Sequence, residues 1–508
     1  MADGLGYEQI DAFPNKTRLA GGRVEKCPCN SSQVRKEGSE MKTVSAVFFA
    51  LLLVSLAAAQ QRWTRSYGGT SYDVGSSVRQ TSDSGYIITG GTASYGHGFP
   101  DLDMWFIKTN ASGDTIWTRT CGGTRNDDGL SVQQTSDSGY VIAGYTLSFG
   151  AGAYDIYVIK TSATGDTLWT RTYGGTRDEE GNSVQQTSDG GYIIAGYTSS
   201  FGAGSFDVYL IKTNASGDTL WTRTYGGGGD DEGNSVRQTA DSGYIVAGFT
   251  SSFGAGNEDI YLVKTNASGD TLWTRTYGGS GYEEGSSVEQ TADGGYIVAG
   301  YTDSFGADSA DVYLVKTNSA GDTIWTRTYG GSGSDEANAL GKTSDGGYII
   351  GGWTSSFGAG SRDVYLVRTN ASGDTVWTRT CGGTGIDYGS SVQQTADGGY
   401  VAAGYTTSVG TGGDVYLIKT DETGNVGVEE PGSDRSVATG SLMATPNPFS
   451  SSVRIPGHEA ERFSVYDISG KMVETCRGGR VGEGLAPAVY FIKPDDGQSR
   501  SLRIVKVR

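Results

Sequence analysis

Residues 169–220 read WTRTYGGTRDEEGNSVQQTSDGGYIIAGYTSSFGAGSFDVYLIKTNASGDTL, and the same pattern begins again at Trp221. The tryptophans that mark this repeat are spaced 54 residues once and 52 residues five times: Trp63, Trp117, Trp169, Trp221, Trp273, Trp325 and Trp377. A fixed period of this length is typical of solenoids, propellers and other repeat arrays. The sequence therefore predicts one structural unit copied along most of the chain.

Each unit contains four segments that predict β-strands. In the quoted stretch the first three are SVQQT, GYIIAGYT and DVYLIKT. The fourth, DTLWTRTY, begins at the end of that stretch and runs into the next copy of the pattern. All four are rich in residues that favour strands. An Asp-[Ser/Gly]-Gly turn separates the first two, and its last residues supply the positive φ of a tight hairpin. These turns start at Asp83, Asp137, Asp189, Asp241, Asp293, Asp345 and Asp397. Four antiparallel strands per unit predict a propeller blade.

The two ends of the repeat indicate how the array closes. There are seven copies of the first three strands, but the Trp63 strand precedes all of them, and Val428 stands where the last unit should have its Trp. Pairing the spare first strand with the last unit closes a ring and removes exposed sheet edges. We therefore predict an all-β chain with a seven-bladed β-propeller over residues 60–426. A stacked open solenoid is the alternative, although it has no need of the spare strand.

Composition narrows the class of function. The formal net charge is −18 and the pI is near 4.6, which argues against a nucleic-acid partner because phosphate binding needs clustered Lys and Arg. Gly is abundant, at 82 residues, but it recurs at fixed turn positions and so reflects turn chemistry.

The flanking segments predict export. Residues 41–59, MKTVSAVFFALLLVSLAAA, have the charged start, apolar centre and small-residue end of a secretory signal peptide, and are too short for a membrane span. Since a signal peptide should begin a chain, we expect residues 1–40 to be a mis-called N-terminal extension. The mature chain is then expected to have no transmembrane span. Residues 427–440 are polar, with Gly and Pro, and predict a linker.

The hairpin VYLIKTNASGDTLWTRT resembles the Trp-docking repeat of quinoprotein-like propellers, in which a Gly four residues before a Trp turns the last two strands. Gly217 and Trp221 are such a pair, and the other units repeat it. The resemblance covers roughly residues 61–426 and implies that each Trp wedges between neighbouring blades. It does not imply a quinone cofactor, because no cofactor-site motif matches. The units also resemble repeats of exported bacterial proteins of unassigned activity.

Residues 441–508 contain, in order, PNPF at 446–449, YDISGK at 466–471, VYFI at 489–492 and a final strand tipped with Lys and Arg. This segment is similar to the C-terminal sorting domain of the type IX secretion system. The resemblance implies a small β-sandwich that the secretion machinery recognises. It also implies a diderm bacterium and a product that passes through the periplasm to the outer cell surface or the medium.

The most regular candidate site is a set of acids at the start of the first strand of every unit. A carboxylate ring of this kind is expected to gather Ca²⁺ or a positively charged ligand. The alternative is that each carboxylate accepts backbone N–H bonds in its own glycine-rich loop, which would explain its repetition. The ring residues are Asp73, Asp127, Glu179, Asp231, Glu283, Asp335 and Asp387. A second acid often follows, as at Asp128, Glu180, Glu232, Glu284 and Glu336.

Two further series repeat along the chain. Aromatic residues of the SSFGAG loop either stack on sugar rings or plug the junctions between blades: Phe149, Phe201, Phe253, Phe305 and Phe357. Glutamines near the end of the first strand are expected to line a polar channel: Gln80, Gln134, Gln186, Gln238, Gln290 and Gln394.

Departures from the repeat are the other candidates, because functional sites tend to break a repeat's symmetry. The first unit is two residues longer and carries His97. In the sixth unit, Lys342 replaces the channel Gln and Trp353 replaces a Tyr or Phe. We expect His97, Lys342 and Trp353 to mark a ligand patch; drift among near-identical copies is the alternative.

The sequence offers little for catalysis. It has no GxSxG, HExxH or phosphate-binding loop, and the seven equivalent acids give no reason for one pKa to differ from another. We therefore predict a non-enzymatic binding or adhesion protein with a protein or polysaccharide ligand and no cofactor other than possible Ca²⁺. A carbohydrate-active enzyme that uses these carboxylates, or a structural surface-layer component, are the alternatives.

Overall fold

A computed structural model describes residues 62–307, 309–426 and, nearer the C-terminus, 453–454, 462–467, 471–477, 480–481, 484–494 and 502–506. The predicted extension, signal peptide and linker lie outside the described residues. The described secondary structure consists of β-strands, as the sequence predicts. Within this part of the chain no helix is long and apolar enough to span a membrane.

Six of the seven repeat units each form one antiparallel sheet whose four strands follow chain order. In the unit of residues 179–225, the second and third strands (YIIAGYT and DVYLIKT) are almost wholly buried, whereas the fourth is exposed or half-buried up to its last residue, Tyr225, which is buried. Burial on both faces explains why the middle strands are continuous apolar runs. The first hairpin turns at Gly190, whose φ is +82°, as the Asp-Gly signal predicts.

We name the strands of a unit inner, second, third and outer. The inner strands are Asp73–Gln80, Asp127–Gln134, Glu179–Gln186, Asp231–Gln238, Glu283–Gln290, Asp335–Lys342 and Asp387–Gln394. The second strands are Tyr86–Thr92, Tyr140–Thr146, Tyr192–Thr198, Tyr244–Thr250, Tyr296–Thr302, Tyr348–Thr354 and Tyr400–Thr406. The third strands are Asp103–Thr109, Asp155–Thr161, Asp207–Thr213, Asp259–Thr265, Asp311–Thr317, Asp363–Thr369 and Asp414–Thr420. The outer strands are Thr115–Cys121, Thr167–Tyr173, Thr219–Tyr225, Thr271–Tyr277, Thr323–Tyr329, Thr375–Cys381 and, from the start of the described chain, Trp63–Tyr67.

The first strand completes the last sheet. Trp63–Tyr67 pairs antiparallel with Asp414–Thr420, so that Trp63 lies opposite Lys419 and Tyr67 opposite Val415. The inner strands of successive sheets contact one another, and the inner strand Asp387–Gln394 contacts Asp73–Gln80. The sheets therefore follow one another in a closed cycle, and the predicted pairing of the two ends is present.

The core lies between adjacent sheets rather than within one. Ile193 and Leu210 of one sheet form a buried cluster with Val236 and Val246 of the next. Trp221 lies on the outer strand of the same sheet as Ile193 and Leu210. It packs against this cluster and meets Tyr244 edge-on, with ring centroids 5.8 Å apart. Each Trp is thus wedged between neighbouring sheets, as the resemblance to Trp-docking repeats implies.

The described C-terminal residues form two small antiparallel sheets. One has the strands Met472–Arg477, Arg462–Asp467, Ala488–Pro494 and Leu502–Lys506 in that order, and the other pairs Val453–Arg454 with Arg480–Val481. Val481 of the smaller sheet is buried in one cluster with Phe463, Val465 and Ile492 of the larger.

Candidate functional site

The inner strands begin at a face that we call the loop face. It carries the loops that enter the inner strands and also the SSFGAG loops. The two kinds of loop lie in contact, since a Cβ placed on Gly227 of an entering loop would lie 3.1 Å from Phe253 of an SSFGAG loop. The inner strands end at the Asp-[Ser/Gly]-Gly turns, which we call the turn face. The candidate residues fall on these two faces.

The acids of the predicted cation ring are fully buried, each with 0% of its surface exposed. Asp231 accepts hydrogen bonds from Gly227 N (2.8 Å), from the Ser252 hydroxyl (2.6 Å) and from the Thr250 hydroxyl. The equivalent glycine N–H bonds measure 2.7–2.9 Å in all seven units. This geometry favours the alternative in which each acid holds its own loop together.

The aspartates that begin the third strands serve their own loops in the same way. Asp207 accepts hydrogen bonds from Ala203 N and Gly204 N, both at 2.9 Å. Gly226 separates Asp207 from Asp231, and a Cβ there would lie 2.5 Å and 2.6 Å from their carboxylate oxygens, which explains the Gly-Gly pair. In the described part of the chain no group of three or more His, Cys, Asp or Glu could hold a metal. Calcium binding by the ring stays a prediction.

The second acids form an arc along the loop face, and their protonation is strongly perturbed. Burial, followed by repulsion from Glu284 and Glu180, raises the pKa of Glu232 to about 8. Burial and then repulsion from Glu336 raise the pKa of Glu284 to about 7, and burial with a smaller effect of Glu180 does the same for Asp128. Burial also raises the pKa of Glu180 and of Glu336. Burial therefore raises the pKa of all five second acids, which are distinct from the seven ring acids to which the expectation from the repeat applied.

An aromatic residue accompanies each acid of this carboxyl arc. Each acid lies opposite an aromatic residue of its own second strand, in the pairs Asp128–Tyr145, Glu180–Tyr197, Glu232–Phe249, Glu284–Tyr301 and Glu336–Trp353. In the last unit Tyr388 takes the place of the acid and stacks on Tyr405, with centroids 5.1 Å apart, and its hydroxyl lies 3.3 Å from that of Tyr72. The positions of these acids follow from the repeat, but their pKa shifts depend on contacts between units.

The SSFGAG phenylalanines lie on the same face and are 43–47% exposed. Each packs one side on a third-strand Tyr, with centroids 5.6–5.9 Å apart. Phe201 also borders a cavity of about 350 Å³ lined by Tyr209, Thr222, Arg223 and Thr224. The rings therefore pack against their own unit and also present apolar surface to solvent.

The three residues of the predicted ligand patch do not come together. His97 lies in a loop of the first unit, where its Nδ1 is 3.2 Å from Asp103. Lys342 ends the inner strand of the sixth unit at the turn face, in register with Tyr348. Trp353 lies at the other end of that sheet, in register with Glu336, and is covered by Arg362 at 4.0 Å. Lys342 and Trp353 lie at opposite ends of one sheet and His97 lies in another unit, so the three residues cannot form a single patch.

The predicted channel glutamines tie neighbouring units together. Gln238 accepts a hydrogen bond from Ser188 N of the preceding unit at 2.9 Å, and the other five glutamines of the series accept the same bond. Besides Lys342, the charged residues that break the symmetry of the channel lie one position earlier: Arg79, Arg237 and Glu289. These three residues were not predicted, although SVRQ and SVEQ depart visibly from SVQQ.

Comparison with known proteins supports the topology. Residues 343–375 match a family described as a domain of unknown function (DUF5122) β-propeller. The fold is a β-propeller. The matched stretch runs from the end of an inner strand to the start of an outer one, which is less than one unit.

More distant similarities extend over larger parts of the chain. It is 26% identical over 233 residues to the regulatory protein FlaEY of Caulobacter vibrioides, a match that spans 42% of this chain and only 24% of that protein. The WD40 domain of Neurospora crassa Pan2 is 9% identical, with a TM-score of 0.44 and coverage of 71% of this chain and 94% of that one. BamB of Moraxella catarrhalis is 13% identical, with a TM-score of 0.35 and coverage of 88% and 99%. Because both TM-scores are below 0.5, these two structural similarities are not used to assign the fold or the function.

Proposed function

We propose that this chain is a surface-exposed or extracellular binding protein whose sheets are the seven blades of one closed propeller. Its ligand, a polysaccharide or a protein, binds at the loop face. The observation that carries the proposal is the combination there of half-exposed Phe rings with the carboxyl arc. Aromatic faces stack on sugar rings and on apolar side chains, and neighbouring carboxyls supply hydrogen bonds.

Binding to a panel of soluble polysaccharides, measured by affinity electrophoresis and calorimetry, tests this proposal. Substituting Phe201 and Phe253 by Ala should weaken retention by the ligand without changing the melting temperature by more than a few degrees. Leu220→Ala is the matched control, because Leu220 is 58% exposed but lies on an outer strand near the opposite end of its sheet. Equal losses in the Phe variants and in the control would contradict a binding role for the loop face.

A carbohydrate-active enzyme is the second candidate, favoured by the raised pKa of Glu232. Glycoside hydrolysis needs one carboxyl that stays protonated near neutral pH and a second that is ionised. Incubating the same polysaccharides with the protein and analysing reducing ends separates the two functions. Product that appears with the wild type and disappears with Glu232→Gln would favour the enzyme, whereas retention without product would favour binding.

We propose export by the type IX secretion system, with residues 41–59 as signal peptide and residues 441–508 as sorting domain. The support is the order of the PNPF, YDISGK and VYFI segments in the sequence. Expression of the full chain and of a chain ending at residue 440, in a diderm host that has this system, tests it. The full chain should reach the cell surface or medium, and the truncated chain should remain in the periplasm.

A further inference from the structure

The propeller has a second cavity, far from the carboxyl arc, among the ends of the inner strands at the turn face. Its volume is about 450 Å³, and residues from all seven units line it. Cavities of this size hold small organic molecules. We call it the channel cavity.

The channel cavity is positively charged in a protein whose formal net charge is −18. Its charged lining residues are Arg79, Arg237, Lys342 and Glu289. Glu289 accepts a hydrogen bond from Arg237 Nε at 2.8 Å and lies 3.4 Å from Lys342 Nζ. One carboxylate thus faces three cations, which leaves an excess of positive charge inside the cavity.

The arginines stand where other units keep a structural hydrogen bond. Gln133 and Gln185 accept backbone N–H bonds from the next inner strand at 2.6 Å and 2.7 Å, and Gln393 does the same. A guanidinium has no acceptor, so an Arg at this position gives up that link between units. Two of the units therefore replace a stabilising contact with a charge, which a purely structural role does not explain.

The backbone holds both guanidinium groups in place. Arg79 Nη1 donates to the carbonyl of Val78 at 2.9 Å, and Arg237 Nη1 donates to the carbonyl of Val236 at 2.8 Å. The two arginines come from the first and fourth units and are close enough for their mutual repulsion, after burial, to help lower the pKa of Arg79 to about 10. Two like charges in one cavity favour an anion between them.

We propose that the channel cavity binds a small oxyanion, a carboxylate or phosphate group carried by a polar molecule, between Arg79 and Arg237, with Lys342 at its edge. The planar guanidinium fork matches the geometry of both groups. This site does not depend on the loop-face function, since the two lie at opposite ends of the inner strands.

Calorimetric titration of the full chain with inorganic phosphate and, separately, with citrate tests the proposal. We expect saturable binding of one anion per chain that weakens as salt is added, and the stronger of the two probes identifies the oxyanion class. Arg79→Gln and Arg237→Gln each copy the residue of other units, so both variants should fold. Each should weaken binding about tenfold or more, because a charge-assisted hydrogen bond is lost.

Two further variants make the test decisive. Glu289→Gln should strengthen anion binding several-fold, because it removes the only negative charge among the residues that line the cavity. Arg119→Gln removes the same positive charge from an exposed outer strand and should leave binding unchanged. Absence of saturable binding with both probes, or equal weakening by Arg119→Gln and Arg79→Gln, would overturn the proposal.

Discussion

At the scale of single residues, Glu232 links the loop face to stability. Its pKa in the folded chain, about 8, exceeds the unfolded value near 4.3, so its contribution to stability is complete below about pH 4 and is lost as the pH rises to about 8. In the Glu232→Gln variant this side chain does not ionise, so the loss of stability with rising pH is absent. We expect the difference in melting temperature between the variant and the wild type to grow from pH 5 to pH 8.5, corresponding to about 1–3 kcal/mol after solvent screening.

Asp166→Asn is the control for this experiment, because it removes one charge from an exposed turn. Thermal melts at several pH values compare the three proteins. If the gap grows equally for both variants, the effect belongs to the net charge and not to the carboxyl arc.

The buried acids of the predicted cation ring lead to a second residue-scale test. Their hydrogen bonds to the loop already satisfy most of their oxygens, so added Ca²⁺ should produce no saturable heat and a chelator should not change the melting temperature. Binding to the folded state alone would raise the melting temperature. A rise of several degrees with Ca²⁺ would instead restore the metal-site interpretation of Asp73 and its equivalents.

At the scale of the element, the outer hairpin depends on the glycine that precedes each Trp. Gly217 has a φ of +79°, and a Cβ there would lie 2.9 Å from the ring of Trp169 in the preceding unit. Gly190 has nearly the same φ, +82°, but no atom within 4 Å of its Cβ position. Both Ala variants pay for the positive φ, roughly 1 kcal/mol, whereas only Gly217→Ala also displaces the Trp.

We therefore expect Gly217→Ala to lower the free energy of unfolding by about 1–3 kcal/mol more than Gly190→Ala. Chemical denaturation of the two variants measures this difference. Equal destabilisation would show that Trp docking on the next hairpin adds nothing beyond backbone conformation.

At the scale of the whole molecule, local and long-range features were not equally predictable. The strands, the Asp-Gly turns and the pairing of Trp63 with the last unit follow from periodicity and turn chemistry, which are local or countable. Apart from Lys342, the charged residues of the channel cavity were not predicted, because Arg79, Arg237 and Glu289 lie far apart in sequence and meet only when the cycle closes. The pKa of Glu232 depends in the same way on acids of other units, and the grouping of His97 with Lys342 and Trp353 failed because it ignored their positions along the strands.

The cycle of sheets closes where the two ends of the repeat pair. Val426 already bridges to Thr420 as Thr219 pairs with Thr213 in another unit, so the last outer strand begins at Val426 and continues as Trp63–Tyr67. Arg62 strengthens the junction by an ion pair with Asp421 at 3.2 Å.

A chain that starts at Gly68 should expose the edge of Asp414–Thr420 and aggregate or melt at least several degrees lower. Inserting residues 62–67 directly after Val426 places Trp63 four residues after Gly424, as in every other unit, and should restore the melting temperature and the monomeric state. Calorimetry and light scattering on the three chains provide the measurement; a truncated chain as stable and as soluble as the original would mean that the ring does not need this strand to close.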